Sequence, residues 1–221
     1  MVMPSPDDGA PRRPAGSDFP VVLDVVGRPC LVVGGGSVAV RKIRTLVEVG
    51  ALVTVVAVEV DPAIDAIDAL AAVERRPYRS GEVAGFVLVV TATGDPSVDR
   101  TVVTDARRAG VLVNGADGDH EGTVRFPAVL RRGPVTVAVS TGGTSPALAR
   151  WLRDRITGSL PPGLETLAAL VDEARADRRA SGRPTESVAW ATLLDRVLPL
   201  VEAGRIDEAR AVLRTGWSGA G

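Results

Sequence analysis

Residues 31–42 read LVVGGGSVAVRK, and the fold turns on how that run divides. Leu31, Val32 and Val33 make the unbroken apolar stretch that a strand buried on both faces needs. From Ser37 the apolar residues take up helical spacing through SVAVRKIRTLVEVG (37–50), with Gly50 where a helix C-terminal glycine belongs. Between them stands Gly34-x-Gly36-x-x-Ala39. In a strand–turn–helix, Gly34 permits the tight turn, Gly36 lets the backbone approach a pyrophosphate, and Ala39 allows close packing of helix on strand. The helix then offers its unpaired N–H groups and partial positive charge to the phosphates. A glycine-rich turn that binds nothing is the plain alternative. Against it, Glu59 follows Ala39 by about twenty residues, near the end of the next strand. A carboxylate there accepts from ribose hydroxyls and repels a 2′-phosphate, so the pattern predicts dinucleotide binding at Gly34, Gly35 and Gly36, with NAD ahead of NADP. Asp61 competes as ribose partner, although Asp61-Pro62 reads more as a helix start.

Outward from this run the alternation continues. ALVTVVA (51–57), FVLVVTAT (86–93) and GVLVN (110–114) are further apolar strands, and DPSVDRTVVTDARRAG (95–110) a helix capped by Asp95 and closed by Gly110. A helix is expected over 61–71 and a weaker strand at AAVERRPY (71–78). Repeated strand–helix–strand units predict an α/β fold, a Rossmann-type doubly wound parallel sheet. Ligands collect at the carboxyl ends of such strands, which makes Thr91, Ala92 and Thr93 candidates for the nicotinamide side, with an ordinary strand-to-helix turn as the alternative. Arg41 and Lys42 read as a solvated helix face.

After Asn114 the pattern changes. TVRFPAVLRR (123–132) and PVTVAVS (134–140) read as two strands joined at Gly133-Pro134. TSPALARWLRDRI (144–156) reads as a helix with Thr144 or Ser145 as N-cap, and three amphipathic helices follow Pro161-Pro162. Trp190, Leu193, Leu194 and Val197 fall on one helical face, as core residues do.

Composition narrows the class. With 221 residues, 45% hydrophobic and 24% charged, the chain has ordinary globular usage and a formal net charge of −1. Aromatics at 3% leave no stacking platform for nucleic acid. Cys30, the single cysteine, reads as a small core residue and suits a reducing cytosol. No apolar run has the length of a membrane span, so no membrane association is expected and the protein should be cytoplasmic. MVMPSPDDGAPRRPAGS (1–17) reads as a disordered tail.

The chemistry-bearing stretch is VLVNGADGDHEG (111–122), leaving a buried strand at the sheet edge where the cofactor should lie. Asp119, His120 and Glu121 invite a metal reading, but a lone histidine among carboxylates more often marks a solvated loop, and no held metal is expected.

Three segments together resemble the precorrin-2 dehydrogenase/sirohydrochlorin ferrochelatase family, the N-terminal module of siroheme synthases. They are FPVVLDVVGRPCLVVGGGSVAVRKIRTLVEVGALVTVVA, LVNGADGDHEGTVRFPAVLRRGPVTVAVSTGGTSPALAR and the helical tail. VAVSTGGTSPALAR is the most specific. The resemblance implies an NAD-binding domain over 18–117, a small β-containing dimerisation region over 118–157 and a helical domain over 158–221, assembled as a homodimer. It implies NAD-dependent oxidation of precorrin-2 to sirohydrochlorin; some members also insert Fe2+, as a substrate, to make siroheme. Ser37, Val38, Val58 and Glu59 match family cofactor contacts, and Asp117 falls on the catalytic aspartate of N-x-x-D. Asn114 is expected to orient the loop or the substrate. A polycarboxylate tetrapyrrole needs cations, for which Arg125, Arg131, Arg132, Arg150 and Arg153 are at hand, and Ser140 opens a run that could present an anion-binding helix N-terminus. Relatives commonly have bulky residues after the Asn; this chain has Gly115-Ala116. A non-catalytic NAD sensor, or another NAD oxidoreductase, would use the same scaffold.

Overall fold

The computed structural model describes residues 18–115, 122–182 and 189–216, and the chain parts into two compact units after Phe126. Residues 1–17, expected to form a tail, lie outside the described residues, as does the segment 116–121 with Asp117, Asp119, His120 and Glu121. Among the described residues no helix is long and apolar enough to cross a membrane.

In the first unit the elements run β1 (Pro29–Val33), α1 (Ser37–Glu48), β2 (Leu52–Ala57), α2 (Pro62–Asp65), β3 (Leu70–Arg75), β4 (Leu88–Thr91), α3 (Pro96–Arg108) and β5 (Leu112–Asn114). The strands form one sheet in the order β3-β2-β1-β4-β5, every pair parallel. The chain winds outward from β1 to β3 and then returns to the other side of β1, so the topological switch lies between β1 and β4. The strands are continuously apolar because both faces are covered. Cys30, Val32, Val53, Val55, Leu88 and Val90 pack with Ala39, Ile43 and Leu46 of α1, while Leu31, Val33, Val56 and Val89 pack with Val102, Val103 and Ala106 of α3. The thiol of Cys30 is wholly buried, and burial pushes its pKa up, as expected of an unreactive core residue.

Two expectations need correction. The helix expected over 61–71 is a single turn, Pro62–Asp65, and β3 begins already at Leu70. Tertiary pairing overrides local spacing here: Leu70 and Val73 reach the α1-side core only as part of a strand paired to β2. Likewise the strand expected over 123–132 is only Ala128–Arg132. The N–H groups of Thr123 and Val124 both donate to the Val113 carbonyl, at 2.8 and 2.9 Å, and Phe126 packs on the first unit's core, so this stretch belongs to β5's surroundings.

The second unit opens with an antiparallel hairpin, β6 (Ala128–Arg132) and β7 (Val135–Val139), turning at Gly133-Pro134. It continues through α4 (Pro146–Ser159), α5 (Leu164–Ala180), α6 (Trp190–Glu202) and α7 (Ile206–Thr215). Ser145, one of the two caps expected, is the N-cap of α4, its hydroxyl accepting from the Leu148 N–H at 3.1 Å. The last three helices enclose their own core around Leu167, Leu170, Leu193, Val197 and Leu213, with Trp190 and Leu194 at its margin.

Candidate functional site

At the carboxyl ends of β1, β2 and β3 and the start of α3 lies a cleft of about 660 Å3, the size of a cofactor site. Gly34, Gly35 and Gly36 form one wall; Val58, Glu59 and Asp61 continue it beyond β2, and Arg76, Pro77 and Tyr78 beyond β3; Thr93, Asp95 and Val98 lie opposite.

The three glycines differ in physical role. Gly34 has φ +126°, and a Cβ there would sit 2.1 Å from the Ala92 carbonyl oxygen. A Cβ on Gly35 would meet the Glu59 carbonyl oxygen at 2.0 Å. Those two positions are glycine because backbone passes against backbone, which also fixes β1's turn against the ends of β2 and β4. At Gly36 a Cβ would meet nothing within 4 Å. Gly36 is the N-cap of α1 with no side-chain hydrogen bond, so the helix's first N–H groups face the cleft without a capping oxygen. An open approach in front of uncapped N–H groups fits a pyrophosphate. Ser37 and Val38, both exposed, begin the helix beside it, and Val58 and Glu59 are exposed at the end of β2. Asp61 does what its proline neighbour suggested. Its carboxylate accepts from the Ala63 N–H at 2.8 Å and caps α2, and its own N–H donates to Gly35.

The Thr91-Ala92-Thr93 corner is organised by a residue the sequence reading passed over. Asp99, in the first turn of α3 and 5% exposed, accepts from the hydroxyls of Thr91 and Thr93 and from the Thr93 N–H. The Thr91 side chain is buried in this network, and Ala92 contributes the carbonyl packed on Gly34; of the three, only Thr93 lines the cleft. Thr91 and Ala92 thus build a strand-to-helix turn, and Thr93 stands beside the cleft.

The solvated face expected of Arg41 and Lys42 holds for Arg41 alone. Arg41 is exposed, but Lys42 is half-buried: its ammonium donates to Asn114 Oδ1 at 2.8 Å and lies 4.3 Å from the Phe126 ring centroid. Asn114, 6% exposed, donates through Nδ2 to the Val124 carbonyl at 2.9 Å. Val113 N–H donates to Thr123 Oγ1 at 2.9 Å. Both stems of the segment carrying Asp117 are thus tied to the end of β5. Only weak signals in the sequence pointed here. Lys42 flanks the buried Ala39/Ile43/Leu46 stripe, where a long stem packs as readily as it solvates.

The residues expected to bind substrate are divided between the two units. Arg125 pairs with Asp18 at 2.8 Å in the first unit. Ser140 and Arg150 are in the second, where Ser140 Oγ accepts from the Gly142 N–H at 3.2 Å and Arg150 is exposed on α4. Arg131 and Arg132 are exposed at the end of β6, and Arg153 pairs with its neighbour Asp154.

Known proteins share this arrangement. An NAD(P)-binding family model matches residues 21–128, and a model of the central region of sirohaem biosynthesis proteins matches 132–159. A siroheme synthase of Methylococcus capsulatus is 40% identical over 200 residues, which cover 88% of this chain and 42% of that protein. A siroheme synthase of Methylobacillus flagellatus is 36% identical over 212 residues, covering 92% and 44%. The chain therefore spans less than half the length of these relatives. Among solved structures, a precorrin-2 dehydrogenase, SirC, superimposes with a TM-score of 0.69 at 25% identity, covering 91% of this chain and all of that one.

Proposed function

Because the chain belongs to the precorrin-2 dehydrogenase family, the N-terminal module of siroheme synthases, we propose that it oxidises precorrin-2 to sirohydrochlorin with NAD as acceptor. The observation that carries this reading is the glycine turn facing an open cleft at the sheet's switch point, in a chain alike to siroheme synthases over most of its length. Bound NAD supplies the hydride acceptor. The chain's own residues bind and position. The uncapped start of α1 at Gly36 takes the pyrophosphate, Ser37, Val38 and Val58 border it, and Glu59 takes ribose hydroxyls. Asp117 collects the proton that leaves as the macrocycle is oxidised. Asn114, held by Lys42 and bonded to Val124, fixes the stem of Asp117's loop. Arg125, Arg150 and Ser140 are assigned to substrate carboxylates. In the same reading the chain works in the cytoplasm as a homodimer. Ferrous iron is a second substrate, entering sirohydrochlorin as its two pyrrole protons leave one after the other through Asp117 to water.

The test is Asp117→Ala. General-base loss should lower turnover of precorrin-2 by about a hundred-fold or more while NAD+ affinity stays within about two-fold. Unchanged turnover would remove Asp117 from the mechanism. Adding Fe2+ to the wild-type product and following siroheme absorbance tests the second step.

A further inference from the structure

Arg76 stands in the cofactor cleft just past β3, on the same wall as Glu59. A guanidinium there is what a site for a 2′-phosphorylated dinucleotide would use, since its planar fork matches phosphate oxygens. Yet each nitrogen of this guanidinium is already engaged within the chain. Nε donates to Glu74 Oε2 at 2.7 Å. Nη1 donates to the Pro77 carbonyl and to Glu82 Oε1, both at 3.0 Å. Nη2 donates to Glu82 Oε2 at 2.6 Å and lies 2.5 Å from Glu74 Oε2. Four hydrogen bonds and one further ion-pair contact thus engage the guanidinium. The Arg76 and Glu82 side chains are 22% and 21% exposed, so the clamp is more than a passing surface pair. Hydrogen bonds donated to Glu82, then to Glu74, hold the Arg76 pKa above its ordinary value. Burial works to raise the Glu82 pKa, but the bonds from Arg76 and the Arg79 N–H outweigh it and hold that carboxyl low. Both partners are charged at neutral pH.

We propose that Glu74 and Glu82 are specificity-determining residues for the cofactor: by engaging the guanidinium of Arg76, together with the Pro77 carbonyl, they keep a cation in the cleft from reading a 2′-phosphate, reinforcing the rejection by Glu59. The inference rests on the NAD reading given above and extends it along the wall from Glu59 to the residues past β3. Glu59 alone would leave an arginine beside it free to compensate its charge. With Glu74 and Glu82 neutralising Arg76 from behind, the cation that lines the cleft is offset and the Glu59 carboxylate stands uncompensated, which favours two neutral hydroxyls over a phosphate dianion.

The experiment measures dissociation constants of NAD+ and NADP+ for the full chain by titration calorimetry, without substrate. Wild type should prefer NAD+. Glu74→Gln with Glu82→Gln should tighten NADP+ by about ten-fold or more and leave NAD+ within about three-fold. Adding Arg76→Gln to that pair should remove the gain. Glu74→Gln alone, at the more exposed carboxylate, should give a smaller gain in the same direction and keeps the idea testable if the double variant does not fold. Unchanged NADP+ affinity in the folded variants, or a gain that survives loss of Arg76, overturns the proposal while leaving NAD binding in place. If wild type binds neither nucleotide, the cofactor reading itself fails, and this one with it.

Discussion

Gly35 and Gly36 are adjacent and chemically identical, yet substitutions at them should fail in different ways. Gly35→Ala drives a Cβ into the Glu59 carbonyl oxygen, backbone against backbone, and should cost about 1–3 kcal/mol of stability along with nucleotide binding. Gly36→Ala meets open space and should cost less than about 1 kcal/mol, while its methyl stands where a pyrophosphate must approach and should weaken NAD+ binding by about ten-fold or more. Urea unfolding and NAD+ titration on the same two variants separate these outcomes; equal stability losses would contradict the division of roles. Lys42→Met should remove a hydrogen bond to buried Asn114, costing about 1–2 kcal/mol, whereas Lys42→Arg should recover part of it. The glycine pattern was legible in sequence because its spacing is local. The partners of Lys42, Asp99 and Arg76 were not, since each is met across the sheet or a turn, and a charged residue beside an apolar stripe looks the same whether it solvates or bonds inward.

Helix α3 shows how one element carries several ties. Its first turn supplies Asp99 to Thr91 and Thr93, and its third supplies Asp105, whose Oδ2 accepts from the Tyr78 hydroxyl, Ser80 and the Gly81 N–H, each at 2.9 Å. Tyr78 also lines the cofactor cleft, so Asp105 holds that wall from behind. Burial works to raise the Asp105 pKa, but the bonds from Gly81, Ser80 and Tyr78 prevail and hold it below the usual carboxylate value. A depressed folded pKa gives stability that is fully present above about pH 4 and is lost as pH falls through the folded value. Asp105→Asn should therefore lower stability at neutral pH by about 1–2 kcal/mol and flatten part of the acid limb of a urea-midpoint profile. A variant whose acid limb matches wild type would refute that assignment. Burial and the Asp105 bond conversely push the Tyr78 phenol up, keeping it neutral at working pH. At this scale the buried strands and α1, α3 and α4 were readable from period and caps. The one-turn α2 and the late start of β6 were not, because sheet pairing to β2 and anchoring of Thr123 and Val124 on Val113 decide them.

Across the whole molecule, a parallel sheet with its switch point at the glycine turn stands in one unit, and a hairpin with four helices in the other. The fold class was predictable because both faces of the sheet demand continuous apolar strands, while the role proposed for Asp117 rests on likeness to a family alone. A homodimer predicts a solution mass twice the 22.9 kDa chain by light scattering; a monomer at micromolar concentration would remove that part of the proposal. The central claim is hydride transfer from a reduced tetrapyrrole to NAD at this cleft. Its most direct measurement is anaerobic incubation of the purified chain with precorrin-2 and NAD+, following NADH and sirohydrochlorin together by absorbance. The account predicts the two rising in equal amounts and neither forming without the protein; sirohydrochlorin formed without NADH, or no oxidation by a protein that binds NAD+, would contradict it.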